Sequence, residues 1–129
     1  MKVRDVMIKD VVSVGEDLSV YEVSKLMAER EIGSIVVVRE GRPVGIVTER
    51  DFLKRVIVAG RDTKTTGIRE VASSPVVTVD PDTSIASAIL LMEKNKVRRL
   101  VAVEDGKLAG IVSSRDFMKY LSHFYELVW

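Results

Sequence analysis

The chain contains no cysteine and a single histidine, His123. Disulfides, thiolate zinc sites and cysteine nucleophiles are excluded together, and one imidazole cannot build a histidine-rich metal centre. Aromatic residues make up only 5% of the chain, and most of them fall after residue 116. Charge of one sign is also missing: 20 basic and 19 acidic side chains leave a net +1, so nothing marks the whole chain as a nucleic-acid binder. No apolar run approaches the ~18 residues of a membrane span. The opening Met1-Lys2-Val3-Arg4-Asp5-Val6 has no apolar signal-peptide core. The expectation is a soluble intracellular protein, cytoplasmic by default. What is present suits one globular domain: 129 residues, 47% hydrophobic and 30% charged.

One stretch is written twice. Gly45-Ile46-Val47-Thr48-Glu49-Arg50-Asp51-Phe52 returns as Gly110-Ile111-Val112-Ser113-Ser114-Arg115-Asp116-Phe117. The offset is about 65 residues and holds without a gap over roughly 54 positions. Arg4-Asp5-Val6 matches Arg69-Glu70-Val71, and Leu26-Met27 matches Leu91-Met92. So short a unit cannot bury its apolar face alone, and its twin is its natural partner.

Each copy reads as strand, helix, strand, strand, helix. Val11 to Val14 is a β-branched strand. Ser19 with Glu22 has capping-box spacing, and Val20, Val23, Ser24 and Met27 follow at helical spacing. In the second copy the stripe is Ile85, Ala88, Ile89 and Met92. Ile35 to Val38 is a buried strand, Glu40-Gly41-Arg42-Pro43 a turn, and Val44 to Thr48 its paired strand. A helix runs from about Glu49 through Val58. The expected fold class is α/β (α+β), with two such motifs packed in pseudo-two-fold symmetry. The boundaries are motif 1 over 1–58, a polar linker over 59–67, motif 2 over 68–121 and a helical extension over 122–129. The last helix carries an apolar stripe of Phe117, Leu121, Phe124 and Val128, with Tyr120 and Tyr125 alongside.

This order of elements, with Gly-Ile-Val-Thr/Ser-x-x-Asp closing each copy, resembles the cystathionine β-synthase (CBS) domain in a tandem pair, from about Val3 to Leu121. The stretch Lys96-Val97-Arg98-Arg99-Leu100-Val101 is similar to a phosphate-contacting strand in the gamma subunit of AMP-activated protein kinase, a nucleotide-sensing member. The resemblance implies two clefts that bind adenine nucleotides, AMP foremost and ADP or ATP next. It implies that Asp51 and Asp116 accept from ribose hydroxyls, and that Thr48 and Ser113 face the phosphate. It implies backbone contacts to adenine from Val12 and Ser13, and from Val77 and Thr78. Thr83, Val97 and Arg98 are implied to serve the cleft that holds Asp51. Homodimers formed through helices are implied as well.

The chemistry suits these residue types. A vicinal diol offers two donors and an ionised carboxylate two acceptor oxygens. A hydroxyl and a carboxylate at a helix start lie where free N–H groups and the helix dipole favour phosphate. Arg50, Arg115, Arg98 and Arg99 add planar donor forks. Yet Thr48-x-x-Asp51 and Ser113-x-x-Asp116 are also helix caps, worth about 1 kcal/mol with no ligand. Gly45 and Gly110 suit either close approach of a ligand or tight strand packing. The copies also differ, because Arg98-Arg99 stands where the first has Gly33-Ser34. One tight and one weak nucleotide site is therefore expected.

Two other readings stay open. One is an interaction subunit without ligand that docks a partner through its aromatic C-terminal helix. Another is a different adenosyl ligand, S-adenosylmethionine or NAD. An enzyme is not expected, since no nucleophile–base pair, metal cluster or phosphate-binding loop is present. His123 reads as a surface or interface residue rather than an acid–base catalyst. The downstream target is not written in the sequence.

Overall fold

The computed structural model describes residues 1–74 and 76–128, with side-chain surroundings as far as Ser122. In chain order it has α1 (Val3–Val6), β1 (Ser13–Gly15), α2 (Val20–Arg30), β2 (Ser34–Arg39), β3 (Arg42–Thr48) and α3 (Glu49–Phe52). A π-helical turn (Leu53–Ile57) and a 3₁₀ turn (Ile68–Glu70) follow. Then come β4 (Thr78–Val79), α4 (Ile85–Asn95), β5 (Arg99–Glu104), β6 (Lys107–Ser113) and α5 (Ser114–Val128). His123, Phe124, Tyr125, Glu126 and Val128 lie outside the described side chains, so the expected stripe is seen only at Phe117, Tyr120 and Leu121.

The two long helices start as their sequences require. Ser19 Oγ accepts the Glu22 amide at 3.1 Å, and the Glu22 carboxylate accepts the Ser19 amide at 3.4 Å. Ser84 Oγ takes the Ser87 amide at 3.1 Å. Val20, Val23 and Met27 are buried on α2, and Ile85, Ala88 and Met92 on α4. Both helices end on a non-glycine residue in the left-handed region, Glu31 at φ 54° and Lys96 at φ 53°.

Each repeat builds a three-stranded sheet, in which the first strand pairs parallel with the second and the second antiparallel with the third. The hairpins turn through two residues of positive φ, Glu40-Gly41 and Asp105-Gly106, as the twist of paired strands favours. The helix expected from Glu49 through Val58 is α-helical only to Phe52 and then widens into the π-turn. The first strand covers Ser13–Gly15 rather than Val11 to Val14.

The compact units do not coincide with the sequence repeats. One unit is Val12–Val76, and the other joins Met1–Val11 to Val77–Trp129. In the second unit Val3 donates its amide to Thr83 O and Arg4 to Pro81 O, both at 2.8 Å, and Ile8 bridges to Ile111. In the first, Ile68 donates to Leu18 O at 2.8 Å and Ser73 bridges to Ile46. Each repeat's leading segment thus serves the other repeat's sheet. Residues 59–67 pack inside the first unit, where Thr63 O and Thr66 O accept from Tyr21 and Val20 at 2.8 and 2.9 Å.

These segments explain two glycines. A methyl at Gly110 would stand 2.6 Å from Met7 Sδ and 2.9 Å from Ile8 O, and one at Gly45 would stand 3.0 Å from Ala72 Cβ. Both glycines therefore let the leading segment lie against the hairpin strand, and of the two sequence readings it is strand packing that the structure displays. The core of the first unit gathers Val14, Val23, Met27, Ile35, Val47 and Ile68. That of the second gathers Val3, Val79, Met92, Leu100, Val112 and Phe117. Arg4 clamps the N-terminal segment to its unit by pairing with Asp82 and Glu104.

Candidate functional site

The repeated hydroxyl and carboxylate stand where a sheet strand runs into a helix. In the first unit β3 ends at Thr48, the N-cap of α3. Asp51 Oδ2 accepts the Thr48 amide at 2.9 Å and its hydroxyl at 3.1 Å, while Thr48 Oγ1 receives the Asp51 amide at 3.4 Å. In the second unit Asp116 Oδ2 accepts the Ser113 amide at 2.8 Å and hydroxyl at 3.0 Å, and Ser113 Oγ receives the Asp116 amide at 3.3 Å. All four residues are half-buried. The capping reading of these pairs is thus realised, with one carboxylate oxygen of each aspartate engaged.

The other oxygens differ. Asp51 Oδ1 faces Arg55 Nε at 3.9 Å. Arg55 Nη1 also donates to Val71 O at 3.1 Å and Ala72 O at 3.4 Å, tying the π-turn to the segment beyond it. The repeat places Tyr120 at the equivalent position, so Asp116 has no arginine one turn on. Arg55 was not among the residues singled out by sequence; its signal was the four-residue spacing from Asp51.

The remaining expected residues are distributed as follows. Arg50 and Arg115 are exposed, each next to its aspartate in sequence. Arg99, half-buried, opens β5 and is the register partner of Ser113 on the neighbouring strand. Arg98 is exposed, and its carbonyl accepts the Ser114 amide at 2.8 Å, close to the start of α5. Val12 and Val77 are half-buried, and their carbonyls already accept from Val36 and Val101 at 3.4 and 3.0 Å. Ser13 and Thr78 are exposed in β1 and β4. Thr83 and Val97 are half-buried; with Arg98 they belong to the unit of Asp116, whereas Asp51 belongs to the other.

Among the described residues, no three His, Asp or Glu side chains gather where they could hold a metal ion, and no helix is long and apolar enough to cross a membrane. No buried side-chain nitrogen or oxygen among them lacks a partner.

Two tandem strand-helix-hairpin-helix repeats, each closed by a hydroxyl–carboxylate cap, define a CBS pair. The CBS domain pattern matches residues 3–58 and again 68–123, and the chain belongs to the CBS domain family. It is 36% identical over 121 residues to an uncharacterised protein of Methanopyrus kandleri, covering 92% of this chain and 62% of that one. Among solved structures, it resembles a CBS domain pair in complex with 5′-methylthioadenosine and S-adenosylmethionine, with TM-score 0.83 and 25% identity over 94% of this chain and 99% of that one. It also resembles a hexameric CBS-CP12 protein from bloom-forming cyanobacteria, with TM-score 0.83 and 27% identity over 92% and 71% of the two chains. The chain spans about 54–62% of the length of the first three curated relatives it matches.

Proposed function

We propose that this CBS pair is a regulatory module that binds an adenine nucleotide, with AMP preferred over ADP and ATP. The observation that carries the reading is the twice-built cap: a half-buried aspartate and a hydroxyl at a helix N-terminus, in a chain of this family. In this reading Asp51 and Asp116 accept from ribose hydroxyls through the oxygens their caps leave over, and Thr48 and Ser113 turn toward phosphate. Arg50, Arg98, Arg99 and Arg115 supply donors to the phosphate oxygens, with Thr83 and Val97 beside them. Val12, Ser13, Val77 and Thr78 contact the base. The clefts are unequal, because Arg98-Arg99 stands where the first repeat has Gly33-Ser34, so one site is tight and the other weak. The module works as a homo-oligomer, a reading supported by the hexameric cyanobacterial relative. A ligand shifts its arrangement only by its differential affinity for two states.

A second reading rests on the ligands of the structural relative. An adenosyl group without phosphate, such as S-adenosylmethionine or 5′-methylthioadenosine, would use the same aspartates and make no demand on the arginines. Competition calorimetry separates the two readings. AMP should displace S-adenosylmethionine, and Arg99→Ala should weaken AMP alone. Binding of S-adenosylmethionine that AMP cannot displace would transfer the assignment to the adenosyl ligand.

A further inference from the structure

Asp51 and the leading segment of the second repeat meet through one side chain. Arg55 follows Asp51 by one turn, within the π-turn, and its guanidinium group reaches both ways. Nε stands 3.9 Å from Asp51 Oδ1, while Nη1 donates to Val71 O at 3.1 Å and to Ala72 O at 3.4 Å. A separation of 3.9 Å is an ion pair rather than a hydrogen bond, so the lone pairs of Oδ1 stay open to another donor. Oδ2 is already held by the amide and hydroxyl of Thr48. The cap fixes one oxygen of the carboxylate, and the charge of Arg55 draws on the other.

These contacts close into a ring. Ser73 and Ile46 exchange amide hydrogen bonds at 2.9 and 3.1 Å, so the segment that Arg55 grips is also paired with β3. Two residues beyond Ile46, β3 ends at Thr48, whose hydroxyl receives the Asp51 amide. A guanidinium group is planar with its donors in a fixed fork, so Nε cannot turn from Asp51 without moving Nη1 against its two carbonyls. The second repeat has Tyr120 at the equivalent place and no cation there.

We propose that Arg55 is a positioning residue for the Asp51 site and reports the filling of that site to residues 68–73. With the strut closed, Asp51 is held with Oδ1 presented to a hydroxyl donor. A ligand that donates to Oδ1 therefore binds the closed arrangement better than the open one. By linkage, the ligand favours the closed strut, and the segment it grips, by the same factor by which the closed strut favours the ligand. This rests on the adenine-nucleotide reading above and adds to it the residue that orients the carboxylate and the segment that responds. Asp116, with Tyr120 one turn on, has no such link.

Amide hydrogen exchange of the full chain, with and without AMP, tests this on wild type, Arg55→Gln and Arg55→Lys, beside calorimetric titration of the same samples. Glutamine keeps an amide donor for a carbonyl but no charge for Asp51; lysine keeps the charge but not the fork. The amides of Val71, Ala72 and Ser73 are hydrogen-bonded to Ile68 O and Ile46 O, so their exchange follows opening of the segment. In wild type, saturating AMP should slow them, relative to the amides of β2, by about twofold to fivefold, the worth of a partly exposed ion pair. In both variants, with AMP raised to the same occupancy, that slowing should disappear. By reciprocity, Arg55→Gln should weaken one AMP site by the same factor. An arginine that only braces the fold would speed exchange with and without AMP alike and leave the AMP-induced ratio unchanged. That result, or AMP binding that slows none of these amides in wild type, would overturn the proposal and leave the nucleotide reading standing. Absence of AMP binding to wild type would overturn both.

Discussion

Asp116 closes its own helix onto Ser113: one carboxylate oxygen accepts both the Ser113 amide at 2.8 Å and its hydroxyl at 3.0 Å. A ligand diol arriving at Asp116 must therefore use the second oxygen or displace the cap. In the proposed reading folding and ligand recognition draw on one side chain, and the two roles separate by charge.

Asp116→Asn keeps a carbonyl oxygen for the Ser113 amide and removes the charge. Its stability should fall by no more than about 1 kcal/mol, the worth of a helix cap. Its affinity for AMP should fall by about tenfold or more, since charge-assisted hydrogen bonds are the strong ones. Thermal unfolding and calorimetry on the same sample check both. A variant that binds as wild type removes Asp116 from the ribose assignment.

Arg55→Ala removes the donor to Val71 O and Ala72 O. Losing a hydrogen bond from a charged group costs about 1.5–3 kcal/mol, with the lower end expected at this partly exposed position. The urea midpoint should fall accordingly. Tyr120→Ala, at the equivalent place in the other repeat, should show no matching loss of backbone contacts.

Gly110→Ala sets a methyl against Met7 and the Ile8 carbonyl. The Met7 side chain can swing aside, but the carbonyl cannot move without shifting the bridge from Ile8 to Ile111. A loss of about 1–3 kcal/mol is expected, as for other overpacked sites, and denaturant unfolding measures it. Unchanged stability would mean that the N-terminal segment is not held against β6.

Three carboxyls are held below their ordinary range: half-buried Glu16 by the Arg39 side chain, exposed Asp62 by the amides of Lys64 and Thr65, and exposed Asp82 by the Arg4 side chain. Their folded values lie below the unfolded ones, so their contribution to stability is complete above about pH 4.3 and fades as pH falls through the folded values. Urea melts from pH 7 to pH 2 should show this acid limb. Arg39→Met should make it shallower by removing the Glu16 share; an unchanged limb would reject that pairing.

Much of this was legible before any coordinates. The repeat announced two motifs of the same strand and helix order, and Ser19 with Glu22 marked a helix start that the structure contains. Thr48-x-x-Asp51 and Ser113-x-x-Asp116 were readable as caps because a hydroxyl three residues before a carboxylate is a local signal. The exchange of leading segments was not legible. Contacts such as Val3 to Thr83 join distant residues, and α1 is too short to show a period. The recurring hint was Lys2 with Asp5 and Gly67 with Glu70, where each amide is taken by a carboxylate three residues on. The ends of α2 and α4 were also hidden, because neither Glu31 nor Lys96 is the glycine or asparagine that usually marks a left-handed cap. The π-turn after Phe52 escaped because an apolar spacing of four residues, Phe52 to Val56, reads as ordinary helix.

The central claim is that the two capped aspartates belong to an adenine-nucleotide sensor. Calorimetric titration of AMP into nucleotide-free protein, repeated with Asp51→Asn and Asp116→Asn, tests it most directly. The account predicts saturable binding at two unequal sites, with each substitution abolishing or weakening one of them. Absence of heat for AMP, ADP and ATP, or binding that neither substitution alters, would contradict it.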